Sequence, residues 1–415
     1  MRRFDFLCTP YRDCRHPAGD RPVPAPGTGH TRRARIRLVS EPPGQPPAPG
    51  FGYDVDLTTK HTISTAGVDT HAHYFGLDMT ERLPGLRDPR WPTLHRDARG
   101  GGSVMLGDKL FRRVRSVLWD VDERIGELDA ASIGVQLISP VPVMLAYWAD
   151  QTVGVACARA TNDSIAAAVA RSGGSLAGLG TVPLPHTAAA VAELERVMVE
   201  LGLSGVEIGT RIAGQDLDSP GFLPFFEAAE SLGAAVFVHP TDGGGGVIHR
   251  GGQPYDFGLG MITDTAVAAT ALIFGGVLER FPKLRVALAH GCGTFPWAYP
   301  RLRLGAKIWL DADEDRVQEL VRSLWVDSLV FDPAHLSLLV ERFGSDHVML
   351  GTDYPFIPGQ LEGAAGFLRS AQTMAAIDAP TAHAIHAANG SAFLRAPTGI
   401  ATCTTVFDAS GCPYE

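Results

Sequence analysis

The feature that most restricts this 415-residue chain is a rhythm that begins near residue 66. Apolar runs of strand length recur as GVDTHAH (67–73), VQLISP (135–140), LAGLGTVPL (176–184), GVEIGT (205–210), AAVFVHP (234–240), RVALAHG (285–291), LWVDSLV (324–330) and VMLGTDYPF (348–356). Stretches with a helical repeat separate most of them, among them TAAAVAELERVMVEL (187–201) and PGFLPFFEAAESLG (220–233). Pro220 suits the first turn of the latter helix, with Ser219 as its cap. Eight strands alternating with helices specify an α/β architecture and predict a (β/α)8 TIM barrel. An open doubly wound sheet is the rival. It would carry a glycine fingerprint after an early strand, and none is present.

The flanks lack this rhythm. Ten of the thirty prolines fall within residues 1–50, and nine arginines face three aspartates through Ser40. Segments such as RPVPAPGTG and EPPGQPPAPG cannot build a packed core. No apolar run follows the arginines as a signal peptide requires. We therefore expect a disordered leader over 1–65, a barrel over 66–395, and a disordered tail over 396–415 that carries Cys403 and Cys412.

Composition excludes several roles. A net charge of −9 and an isoelectric point near 5.9 argue against nucleic-acid binding. No run approaches the roughly 18 consecutive apolar residues of a membrane span. The six cysteines, at 8, 14, 157, 292, 403 and 412, form no CxxC pair. That usage fits a reducing compartment, and we expect a cytoplasmic protein.

Barrel enzymes place their chemistry at the C-terminal ends of the strands. The first strand supplies His71 and His73, which at i and i+2 face one side. The fifth ends in His239, the sixth in His290, and the eighth in Asp353. A single histidine after an apolar strand is more often a core residue with a satisfied hydrogen bond. Five such groups on one barrel face are not explained that way. Three imidazoles and a carboxylate suit Zn²⁺ or a similar divalent ion. Position alone does not separate ligand from base among the histidines. His95, His186, His335 and His383 fall in expected loops or helices and carry no such pattern.

With HxH on strand one, histidines on strands five and six and aspartate on strand eight, the sequence resembles the amidohydrolase superfamily. It is similar in particular to the branch of 2-amino-3-carboxymuconate-6-semialdehyde decarboxylases and related non-oxidative decarboxylases. HAHYF, GDKLFRRVRSVLWD, RIGELDAASIGVQLISPVPVM, HPTDGGGG, AHGCGTFPW, LWVDSLVFDP and VMLGTDYPF carry the likeness. The resemblance implies an amidohydrolase-type barrel in which His71, His73, His239 and Asp353 bind one divalent ion, Zn²⁺ first and Mn²⁺ second. It makes His290 the catalytic histidine, with Asp353 at the reacting centre. It also implies that Arg112 and Arg301 bind a small carboxylic acid, with Arg301 donated across a homodimer interface. A second cross-subunit arginine of the branch is Trp309 here. The tryptophan of its HPWD motif is Thr241, and its glycine-rich turn after His290 carries Cys292. Strand four has no lysine to bridge two metals. Glu207 could do so, but an internal strand carboxylate bonded to a neighbour is the simpler expectation.

The chemistry follows from these parts. Loss of CO₂ from an unsaturated or aromatic acid leaves electrons on carbon, so the site must offer a sink and a proton. A divalent ion polarises a substrate oxygen, an arginine orients the carboxylate, and His290, close to its working pKa, exchanges the proton. We expect a metal-dependent decarboxylase. A hydrolase of amides or lactones is the alternative within the same superfamily.

Overall fold

All eight runs form strands, and burial on both faces is the reason. A strand covered by barrel interior on one side and helices on the other is apolar throughout rather than at alternate positions. The computed structural model describes residues 66–394 apart from Gly246. The leader expected at 1–65 and the tail at 396–415 lie outside the described residues. The strands are β1 (Gly67–Tyr74), β2 (Ile133–Pro140), β3 (Leu176–Gly180), β4 (Gly205–Gly209), β5 (Ala235–His239), β6 (Arg285–Leu288), β7 (Trp325–Asp327) and β8 (Val348–Met349). Each pairs in parallel with its neighbour in sequence within one eight-stranded sheet. The ring then closes. The Thr70 N–H donates to the Leu350 carbonyl at 2.8 Å, and the His73 N–H to that of Tyr354 at 2.7 Å.

Leu137, Leu179, Phe237, Ala287 and Met349 fill the barrel interior together with Phe393 of the last helix (Asn389–Leu394). Phe237 lies directly against the functional end, its ring 5.1 Å from that of His71. Truncating a buried phenylalanine of this kind costs about 3–5 kcal/mol, so the site rests on a stiff floor. Outside, the helix Thr187–Val199 buries Ala190, Leu194 and Val197 at i, i+4 and i+7. The helix Leu223–Leu232 stops at Gly233, whose φ of 62° forms the left-handed C-cap. Ser219 does not cap the preceding turn as expected: its hydroxyl donates to Gln215 at 2.8 Å instead.

Two features were not anticipated. Between β1 and β2 lies a three-stranded antiparallel sheet, Pro92–Arg96, Gly102–Leu106 and Lys109–Val114. Its second hairpin turns on Gly107–Asp108, with Gly107 at φ 56°. The sheet carries Phe111 and Arg112 to the functional end. The second feature is the helical stretch Asp256–Phe274, whose mean hydropathy of 1.6 and length would suffice to cross a membrane. In this fold it follows β5 as an outer helix. It buries Ala268, Ala269 and Leu272 in the core, and its buried Asp264 accepts from Thr210 and from Arg211 Nε.

Candidate metal centre

Strand geometry brings His71 and His73 together, their ring centroids 5.3 Å apart. His239, at the end of β5, completes a triangle at 5.1 Å from His71 and 5.0 Å from His73. Each ring is anchored through Nδ1. His73 donates to the Pro140 carbonyl at 2.9 Å, His239 to that of Pro240 at 2.8 Å, and His71 to Asp327 Oδ2 at 2.7 Å. An imidazole that donates from Nδ1 presents its lone pair at Nε2. All three Nε2 atoms are buried and lack a hydrogen-bond partner. Asp353, held at φ 54°, reaches the same point, with Oδ1 3.1 Å from His73 Nε2 and 3.7 Å from His71 Nε2. One donor atom from each of the four residues lies within 4.8 Å of all the others. Three orphaned imidazole nitrogens and a carboxylate oxygen converging out of water are costly alone and complementary to a divalent cation. The residues fit the ion that the sequence implies.

Electrostatics agree. Burial drives the His239 pKa well below its ordinary value, reinforced by the neighbouring histidines. Burial also opposes charge on His71, but the Asp327 hydrogen bond and the charges of Asp327, Asp353 and Glu207 outweigh it and raise His71 to about 9. Asp353 is held below the usual carboxylate range: burial opposes ionisation, and the His73 contact with the charges of the histidines overcomes it. The metal-free protein therefore keeps a proton on His71 that an incoming ion must displace. Apparent metal affinity should rise about tenfold per pH unit between pH 7 and pH 8.5, for one proton released. It should level off once pH passes the His71 value of about 9. Chelator-competition titrations will show this, and an affinity independent of pH would refute it.

His290 follows β6 and stands beside the triangle, 5.1 Å from His239 and 5.3 Å from His71 between ring centroids. Its Nδ1 is buried without a partner. The sequence reading has it exchange a proton close to its working pKa; in the metal-free fold its surroundings pull it down. Burial, then the neighbouring charge on His71, lowers it to about 4. At neutral pH it is an unprotonated base.

The residue that sequence reasoning missed is Asp327, the last residue of β7. It is fully buried, and besides His71 it accepts from the backbone N–H groups of His290, Gly291 and Leu329 at 2.8, 2.9 and 3.0 Å. Gly351 makes room for this arrangement. A Cβ there would stand 2.7 Å from the Cβ of Asp327 and 3.0 Å from that of His71.

The centre opens into a cavity of about 450 Å³ lined by His73, His239, His290, Asp353, Phe111 and Arg112 among others. Arg112 lies 4.8 Å over the Phe356 ring and makes no ion pair among the described residues. A cation without a carboxylate partner in such a cavity is suited to an anionic ligand. Arg301 is not brought to this cavity within the chain. It sits on the helix Phe295–Leu310, in a separate groove of about 660 Å³ with Phe274, Leu304, Ile308 and Trp309. Glu207 is buried on β4 and accepts from the Ser139 hydroxyl of β2 at 2.6 Å, so it is an internal strand carboxylate bonded to a nearby side chain. Burial raises its pKa to about 7. Cys292 is a buried free thiol whose pKa burial raises.

Three histidines and an aspartate at the C-terminal rim of a (β/α)8 barrel define a barrel of the metal-dependent hydrolase and lyase class. The chain belongs to the amidohydrolase family, whose model matches residues 68–394. It is 36% identical over 310 residues to the 2-amino-3-carboxymuconate-6-semialdehyde decarboxylase of Dictyostelium discoideum, covering 71% of this chain and 84% of that one. The crystal structure of 5-carboxyvanillate decarboxylase from Sphingomonas paucimobilis superimposes with a TM-score of 0.65 at 26% identity, covering 80% of this chain and all of that one (100%). A 2-keto-4-carboxy-3-hexenedioate hydratase of Sphingobium sp. is 26% identical over 218 residues, 51% of this chain and 62% of that one.

Proposed function

We propose that the protein is a metal-dependent non-oxidative decarboxylase that releases CO₂ from a small unsaturated or aromatic carboxylic acid. One observation carries the reading: three donors of the cluster (His73, His239 and Asp353), the base His290 with its unpartnered Nδ1, and Arg112, which makes no ion pair among the described residues, line one cavity. When bound, the ion supplies a Lewis acid that polarises an oxygen of the substrate; the donor set favours Zn²⁺, with Mn²⁺ as second choice. Arg112 holds the carboxylate in register, and Phe111 and Phe356 give the cavity wall an apolar, aromatic lining suited to an unsaturated or aromatic substrate. His290, neutral at the outset, accepts a proton from the substrate or solvent. It delivers that proton to the carbon whose bond to CO₂ breaks.

Water addition or hydrolysis is the second reading, favoured by the hydratase among the relatives. Turnover in D₂O over a panel of carboxylated dienes and phenolic acids separates the two. Decarboxylation gives one CO₂ and one deuterium on carbon per substrate consumed. Substrate loss with a gain of water and no CO₂ would overturn the proposal.

The likeness to the branch and an exposed apolar face support a homodimer. Trp297, Leu304, Ile308 and Trp309 are 85%, 54%, 58% and 79% exposed on one helix beside Arg301. In that dimer Arg301 reaches the neighbour's cavity while Arg112 serves its own. Trp309, where the branch has a second arginine, fits a substrate with one carboxylate fewer or with an aromatic face to stack. Mixing inactive Arg112→Ala chains with inactive Arg301→Ala chains should restore part of the activity, because each mixed dimer holds one intact site. No recovery after demonstrated subunit exchange would refute the arrangement. A cytoplasmic location belongs to the same proposal; its ground is the scattered cysteine usage of the sequence, with no CxxC pair.

A further inference from the structure

Asp327 touches both the ligand side and the proton-transfer side of the centre. Its Oδ2 accepts from His71 Nδ1 at 2.7 Å and from the His290 N–H at 2.8 Å. Its Oδ1 accepts from the Gly291 and Leu329 N–H groups at 2.9 and 3.0 Å. Four donors thus meet two oxygens in a place without solvent, since Asp327 is 0% exposed. Only an ionised carboxylate, an acceptor on both sides, satisfies all four. The turn it grips is unusual: His290, Gly291, Cys292 and Gly293 all have positive φ, at 58°, 59°, 64° and 61°. Left-handed backbone at a non-glycine residue persists only where the surroundings impose it. Successive N–H groups in such a turn form a small anion-binding concavity, and here the anion is a side chain of the same chain.

We infer that Asp327 is a positioning residue that couples the two halves of the centre: it fixes His71 as a metal ligand and holds the left-handed turn that aims His290. The inference rests on the metal and proton roles proposed for those two histidines. Asp327 belongs neither to the four-donor cluster nor to the cavity lining, and it acts through its partners. Two consequences follow. Ion binding that fixes His71 also steadies the His290 turn, and loss of the carboxylate damages both halves at once.

Asp327→Asn keeps the shape, retains one acceptor oxygen and sets an amide NH₂ against two N–H donors. In competition with a chelator, this variant should bind Zn²⁺ about 10–100-fold more weakly than the parent. With Zn²⁺ at saturation, it should lower turnover about tenfold or more in the parent and less than about twofold in a His290→Asn background, because the loss passes through His290. Equal losses in both backgrounds, or unchanged Zn²⁺ affinity, would overturn the inference. The parent protein provides a test that needs no variant. Amide hydrogen exchange at His290 and Gly291 should slow when Zn²⁺ binds, although neither backbone is a ligand. Exchange indifferent to Zn²⁺ would overturn the inference even if Asp327→Asn failed to fold. Ion affinity and amide exchange require no substrate. A failure of the decarboxylase reading would show in CO₂ release and leave these two readouts to decide the role of Asp327.

Discussion

A protein in which His71 and His73 are both alanine will retain no stoichiometric divalent ion and will release no CO₂. The parent will carry close to one ion per chain. The expectation follows from how the donors are held. Two of the four come from a single buried strand, and their Nε2 atoms have no other partner. The two that remain, His239 and Asp353, stand on separate strand ends and cannot close a shell by themselves. A structural zinc site contributes about 10–16 kcal/mol of apparent binding free energy, so deleting half of its donors moves affinity by many orders of magnitude. The fold should survive, because the alanines remove buried polar atoms rather than core volume from the apolar layers. Metal analysis and thermal unfolding of the double variant report the two outcomes separately. Retention of one ion per chain would refute the ligand assignment.

His290→Asn should do the opposite to the ion and the same to the reaction. Its imidazole neighbours the cluster, but its backbone sits at φ 58°. Asparagine tolerates that left-handed conformation better than other non-glycine residues, so it deletes the base with little disturbance of the turn. Removal of a general acid–base group lowers turnover by about 10²–10⁴-fold. Metal content should stay close to that of the parent. Ion loss as severe as in a His239→Ala protein would make His290 a ligand instead of the proton carrier.

Much of this centre is legible in the sequence because a barrel imposes strict positional rules. Continuous apolar runs mark the strands, and polar residues that end those runs must lie at one rim, so His71, His73, His239, His290 and Asp353 point to one place. Three things were not legible, each for a physical reason. Asp327 ends its strand in WVD, a lone carboxylate that no motif spacing separates from other acids, and its value comes from four donors supplied by distant segments. The antiparallel sheet that presents Arg112 has half-exposed strands with weak alternation. The Gly107–Asp108 turn between two β-rich runs was the signal that could have found it. The depressed pKa of His290 depends on burial and on charge at His71, which no local sequence window contains.

The central claim, metal-dependent decarboxylation, is tested most directly by measuring CO₂ release against metal occupancy. Protein stripped with a chelator and reloaded in steps should release CO₂ from its best acid substrate in proportion to bound Zn²⁺ or Mn²⁺. The rate should reach its plateau at about one ion per chain, the capacity of a single four-donor site. CO₂ release by the stripped protein at the parent rate, or a fully loaded protein that consumes the acid without releasing CO₂, would contradict it.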